Sequence, residues 1–192
     1  MKKLTILIVF ISLLSCNTKA YEIAKIKTSM GDIYFKFYNE TPNHKASFIK
    51  LAKEGLWDDS DFNRIVKDFV IQGGCPDTPE GFSNSPYLLK PEFNKNITHT
   101  YGAVGAGRDD NPNKLSAGCQ FYIVQNKKGT HFLDGNYTVF GQVIKGMDVV
   151  DRIASLKTDS TEHPLQKIII DIDIIKVSDK YLKRMALSQE MK

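Results

Sequence analysis

The chain has 192 residues, 42% hydrophobic and 25% charged, which suits one globular domain with a sizeable core. Its formal charge of +4 carries no like-charge blocks, and two of the lysines, Lys2 and Lys3, stand at the extreme N-terminus. This balance excludes a basic stripe for nucleic acid and a polyelectrolyte tail.

Met1-Lys2-Lys3 precedes an apolar run from Leu4 to Leu14, the pattern of a signal peptide. At 11 residues the run is shorter than the roughly 20 that a permanent spanning helix needs, so removal of residues 1–15 after export is expected. Leu13-Leu14-Ser15-Cys16 resembles the lipobox of bacterial lipoproteins, which implies cleavage before Cys16 and acylation of that residue. The same resemblance implies that residues 16–20 form a lipid-anchored linker and that the protein is held in the cell envelope, tethered to a membrane and facing the periplasm or the exterior. The competing reading is secretory cleavage after Ala20, where Thr18 and Ala20 supply small residues. Cys75 and Cys119 remain, and their spacing leaves open whether they pair or stay as buried thiols. His44, His99, His131 and His163 are scattered singly, so neither a metal nor another cofactor is expected.

In chain order, 21–28 and 32–38 alternate β-branched and aromatic residues with Lys and Glu around Met30-Gly31, which predicts a hairpin. Thr41-Pro42 opens a helix over 42–54, with Ala46, Phe48, Ile49, Leu51 and Ala52 near helical spacing and Gly55 as its stop. Short apolar runs follow at 62–66, 69–72, 102–105, 121–124 and 138–143. Many short strands suggest a sandwich or barrel. A second helix is predicted from Met147 to Ala154 and a last strand over 168–177. Residues 21–177 read as one domain, and the tail 178–192 has no assignable structure. The segments 75–96 and 108–118 are long for connections, and loops of that length are usually functional. Asp58-Asp59 and Asp109-Asp110 read as solvated loop acids.

No Gly-x-Ser-x-Gly elbow, phosphate loop or His-Glu-x-x-His helix is present. Three segments stand out: Phe62-Asn63-Arg64-Ile65-Val66 leading to Phe69-Val70-Ile71-Gln72-Gly73-Gly74, then Ser116-Ala117-Gly118-Cys119-Gln120-Phe121-Tyr122-Ile123, then Phe132-Leu133-Asp134-Gly135-Asn136-Tyr137-Thr138-Val139-Phe140-Gly141. Together and in this order they resemble the cyclophilin family of peptidyl-prolyl cis-trans isomerases, over about residues 23–177. The resemblance implies a mainly β fold, a closed eight-stranded antiparallel barrel capped by two α-helices, acting as a monomer on proline-containing polypeptides.

It also implies a site. Arg64 would donate to the twisted amide, with Phe69 and Gln72 beside it as catalytic residues. Phe69, Val70, Tyr122, Phe132 and Leu133 would line the proline pocket, Gln120 and the backbone of Gly107 would align the peptide, and Tyr137 would add a polar tip to the substrate-binding residues. Phe132 stands where many members carry tryptophan, and Tyr137 where many carry histidine. The first change removes an indole N–H that cyclosporin would use. A binding module of the same fold, gripping proline-containing loops without turnover, is the alternative function. An envelope sugar-binding β protein fits less well, because the aromatics follow the proline-pocket pattern.

Overall fold

The computed structural model describes residues 20–190; the proposed signal segment and Cys16 lie outside the described residues. The strands are β1 (Ala20–Thr28), β2 (Gly31–Phe37), β3 (Phe62–Val66), β4 (Val70–Gly74), β5 (Leu88–Leu89), β6 (Ala103–Ala106), β7 (Ser116–Ala117), β8 (Gln120–Val124), β9 (Val139–Lys145) and β10 (Ile170–Ser178). The helices are α1 (Pro42–Lys53), α2 (Met147–Ala154) and α3 (Asp179–Glu190), with a 3-10 turn at His131–Leu133.

Eight strands form one antiparallel sheet in the order β10-β1-β2-β9-β6-β8-β4-β3. The expected closed barrel needs correction: the sheet curls but stays open between β10 and β3, and only the residues just before them, Asp61 and Ile169, form an isolated bridge among the described residues. Flanking backbone bonds, from the Phe62 amide to the Ile168 carbonyl and from the Ile170 amide to the Ser60 carbonyl, draw the edges together without a continuous ladder. The first hairpin turns at Ser29-Met30, one residue before the expected position, since Thr28 pairs with Gly31. The Thr28 hydroxyl holds that turn by donating to the Gly31 carbonyl and accepting from the Met30 amide.

Strand alternation puts Ile33, Phe35, Phe62, Ile65, Ile71, Val104, Phe121 and Ile123 on the inner face, where they pack with Phe48 of α1 and Val150 and Ile153 of α2. Phe48 and Trp57 lie 4.4 Å apart between ring centres, and the Trp57 indole N–H donates to the Cys119 carbonyl at 2.8 Å. Helix α1 begins at Pro42, which suits a first helical position. Thr41 makes no side-chain cap. The Glu92 carboxylate, from a distant loop, instead takes the backbone amides of Asn43 and His44 at 3.1 and 2.9 Å. Those are two of the orphan donors of the first turn.

A third helix, α3, occupies the tail that sequence left unassigned, and its Met185 is buried against Ile23, Ile144 and Val177. The two long connections pair with each other through β5 and β7, Leu88 opposite Ala117 and Leu89 opposite Ser116. Asp109 is no solvated acid: its carboxylate accepts the Phe82 amide at 2.9 Å and so fastens one of these loops to the other. Cys75 and Cys119 form a disulfide with Cα atoms 5.5 Å apart, packed near Phe82 and Ala117.

Candidate active site

The site lies on the outer face of the sheet and is built by its register. Arg64 pairs with Gln72, Gln72 with Tyr122 and Tyr122 with Gly105, so one row crosses β3, β4, β8 and β6. In β3 the pairing shifts between Phe62 and Arg64. This bulge lets Phe62 and Ile65 both enter the core although they are three residues apart, while Arg64 is turned outward. Asn63, the extra residue, is satisfied by donating to the Gly74 carbonyl at 2.8 Å. At Gly105 a side chain would collide with the Tyr122 ring, which lies across that strand.

All ten sequence-predicted residues of the domain, Arg64, Phe69, Val70, Gln72, Gly107, Gln120, Tyr122, Phe132, Leu133 and Tyr137, line one cleft of about 320 Å³. Phe69 ends the tight turn of the β3–β4 hairpin, where Asp68 takes φ 60° and the Phe69 carbonyl accepts the Gln125 and Asn126 amides. Its ring stacks on Phe132 with centres 5.7 Å apart and planes 17° apart. Phe132 is 72% exposed, an apolar ring left at the mouth of the cleft. Val70, Tyr122 and Leu133 form the buried floor, and Tyr137 meets Tyr122 edge-on at 6.1 Å. A larger hollow of about 890 Å³ near Tyr34 and Asp151, at the start of α2, contains none of the predicted residues.

Three cleft or flanking residues escaped sequence reading as members of the site. Asp77 faces the cleft and accepts from both Gln72 and Gln120. Arg108 has a side chain only 10% exposed, lies 4.7 Å from the Tyr137 ring centre and donates to the Asn136 and Asp109 carbonyls. Glu162 accepts from Arg64 Nε at 2.6 Å, and its backbone carbonyl accepts the Ile65 amide. Among the described residues only Nε of Arg64 is seen to be bonded, which leaves its two terminal amino groups for the cleft. No motif marks Glu162, which reaches Arg64 across 98 residues of sequence.

Two buried chains of polar groups support this face. Asp134 accepts from His99 Nδ1 at 2.6 Å, and His99 Nε2 accepts from the Tyr122 hydroxyl at 2.7 Å. Glu92, His44 and Ser116 repeat the pattern at 2.6 and 3.0 Å. The second chain has the connectivity of a hydrolase triad, yet Ser116 is 1% exposed and out of reach of any substrate carbonyl. Burial pushes both histidines below their ordinary value, and the paired carboxylates offset this only in part. For Glu92 and Asp134 burial acts upward, but the hydrogen bonds they accept outweigh it and hold both below the usual carboxylate range.

Native His44 and His99 therefore bind fewer protons than the unfolded chain, so stability rises with pH across their titration. Unfolding free energy is expected to be flat above about pH 7 and to fall as pH drops below the ordinary histidine value of 6.5. The slope is at most two protons, about 2.7 kcal/mol per pH unit. Urea unfolding between pH 8 and pH 5 measures it, and a stability unchanged down to pH 5 would show that neither histidine is held neutral.

Residues 23–173 match the family model described as cyclophilin type peptidyl-prolyl cis-trans isomerase/CLD. The peptidyl-prolyl cis-trans isomerase CYP18-2 of Arabidopsis thaliana is 35% identical over 148 residues, covering 76% of this chain and 88% of that relative. A peptidyl-prolyl cis-trans isomerase of Acinetobacter baylyi is 34% identical over 154 residues, covering 77% and 80%. A crystal structure of a Cryptosporidium parvum cyclophilin type isomerase, obtained in the presence of the dipeptide Ala-Pro, superposes with a TM-score of 0.69 at 25% identity, over 80% of this chain and 98% of that one. With the match spanning both the sheet and the cleft, the chain belongs to the cyclophilin-type peptidyl-prolyl cis-trans isomerase family.

Proposed function

We propose that this isomerase accelerates rotation about X-Pro bonds of exported proteins as they fold in the bacterial cell envelope, where Cys16 tethers it. The observation that carries the catalytic part is the convergence of Arg64, bonded among the described residues only through Nε, on an apolar floor of Val70, Tyr122 and Leu133. Rotation about X-Pro is slow because amide resonance must be broken, at about 18–20 kcal/mol. In the twisted state the proline nitrogen regains a lone pair and becomes an acceptor. Arg64 donates to it there, so the interaction is stronger in the transition state than in either planar isomer, which is what lowers the barrier. No proton transfer or covalent bond is needed.

The proline ring seats on the floor between Phe69 and Leu133, with Phe132 covering it, while Gln72, Gln120 and Gly107 align the flanking backbone. Ala-Pro, the dipeptide present with the Cryptosporidium protein, suggests the ligand class. An isomerisation assay on short X-Pro peptides tests the reading: acceleration is expected, and a rate equal to that of buffer would overturn it.

Export is supported by the N-terminal pattern and by the pairing of Cys75 with Cys119, since disulfides persist mainly in oxidising compartments. Mass spectrometry of the N-terminal peptide isolated from membranes is expected to find a chain beginning at Cys16 with added fatty-acid mass. A peptide beginning at Tyr21 would establish secretion without an anchor and leave the isomerase intact, as Arg64 is the first cleft residue in the chain.

A further inference from the structure

Gln120 is buried, and its side-chain nitrogen donates to the Cys75 carbonyl and to Asp77 Oδ1, both at 2.9 Å. An amide nitrogen has two hydrogens, so both are used. Neither partner can donate, which fixes the orientation of the amide that electron density alone often leaves open. Its carbonyl oxygen is turned away and lies against Gly107, close enough that a side chain there would displace it. The second Asp77 oxygen accepts from the Gln72 amide nitrogen at 3.4 Å. One carboxylate thus orients two glutamines with one oxygen each. Among the described residues, no backbone amide is seen to donate to it, as one would to an aspartate serving a local turn.

From this geometry we infer that Asp77 is a positioning residue of the cleft: it holds Gln120 as a pure acceptor, set to receive a substrate N–H, and restrains Gln72 beside Arg64. The inference rests on the reading of the cleft as the isomerase site. Asp77 is itself placed by the chain around it. It follows Cys75 by two residues, and Cys75 is bridged to Cys119, the residue before Gln120. The disulfide therefore ties the segment bearing the carboxylate to the strand bearing its partner. Unclamped, Gln120 could turn its amide and present a donor where the substrate needs an acceptor.

Asp77→Ala is expected to lower kcat/KM three- to ten-fold, with Asp77→Glu recovering part of the loss. In a Gln72→Ala/Gln120→Ala background the same substitution should cost nothing further, because coupled groups are not additive. The side-chain amide resonances of Gln72 and Gln120 in a nitrogen–proton NMR spectrum should both move in Asp77→Ala, a signature that a purely structural role would not give. A parent-like kcat/KM in Asp77→Ala, a full loss in the double-glutamine background, or unmoved amide resonances would each overturn the assignment. A parent protein that fails to accelerate isomerisation would instead overturn the reading of the cleft, and the resonances alone would then decide whether Asp77 holds the glutamines.

Discussion

Arg64→Ala is expected to lower kcat/KM for X-Pro peptides at least ten-fold, about 1.4 kcal/mol, while the protein stays folded. The side chain is 31% exposed and faces away from the core, so its removal opens no cavity. On the proposed mechanism, what disappears is the donor to the twisted amide, an interaction made only during rotation; kcat should fall with kcat/KM. Glu162→Gln is a milder companion. It keeps an acceptor near Arg64 Nε but removes the charge-assisted bond at 2.6 Å, so a few-fold loss is expected. Peptide assays on variants shown folded by circular dichroism decide the matter. Arg64→Ala turning over at the parent rate would mean that the cleft works without this guanidinium.

Removing the disulfide, as Cys75→Ala/Cys119→Ala, should have the largest effect on stability. The bridge closes a loop across a sequence separation of 44 residues. A loop of that length contributes about 4 kcal/mol through the lost entropy of the unfolded chain, and native bridges commonly deliver about 2–4. Within that loop lie both long connections and the strands β5, β6 and β7. The loss should therefore show as a lower denaturation midpoint, and the glutamine clamp at Asp77 should loosen with it. Urea titration of the parent with and without a reducing dithiol, beside the double variant, measures the effect. Equal midpoints in all three would show that packing by Phe82 and Ala117 holds these loops without the bridge.

The two helices over Pro42–Lys53 and Met147–Ala154 and most strand positions were legible because amphipathic period and turn residues are local properties. The cleft residues were legible for another reason: they sit in three contiguous motifs, and their order resembles a family. Helix α3 was not legible from Asp179 onward, since its few buried positions, Met185 among them, gain their partners only from β1, β9 and β10. Sheet closure was not legible either. Whether β10 and β3 zip together depends on curvature accumulated over eight strands, and here it stops at one bridge.

By itself, then, the sequence determined which residues would crowd one cleft, because the motifs that resemble a family are contiguous in the chain, and it determined the two main helices and most strands, because side-chain type and alternation are local. Tertiary structure decided how those residues are held. Asp77 on Gln120, Glu162 on Arg64 and Asp134 on His99 join positions 43, 98 and 35 residues apart. The pairing of Cys75 with Cys119 was decided there too, since a bridge requires Cα atoms within about 7 Å and folding brings these to 5.5 Å. Hydrogen bonds and bridges of this kind depend on distances of a few ångströms, which the packing of distant segments creates and which spacing along a chain does not encode.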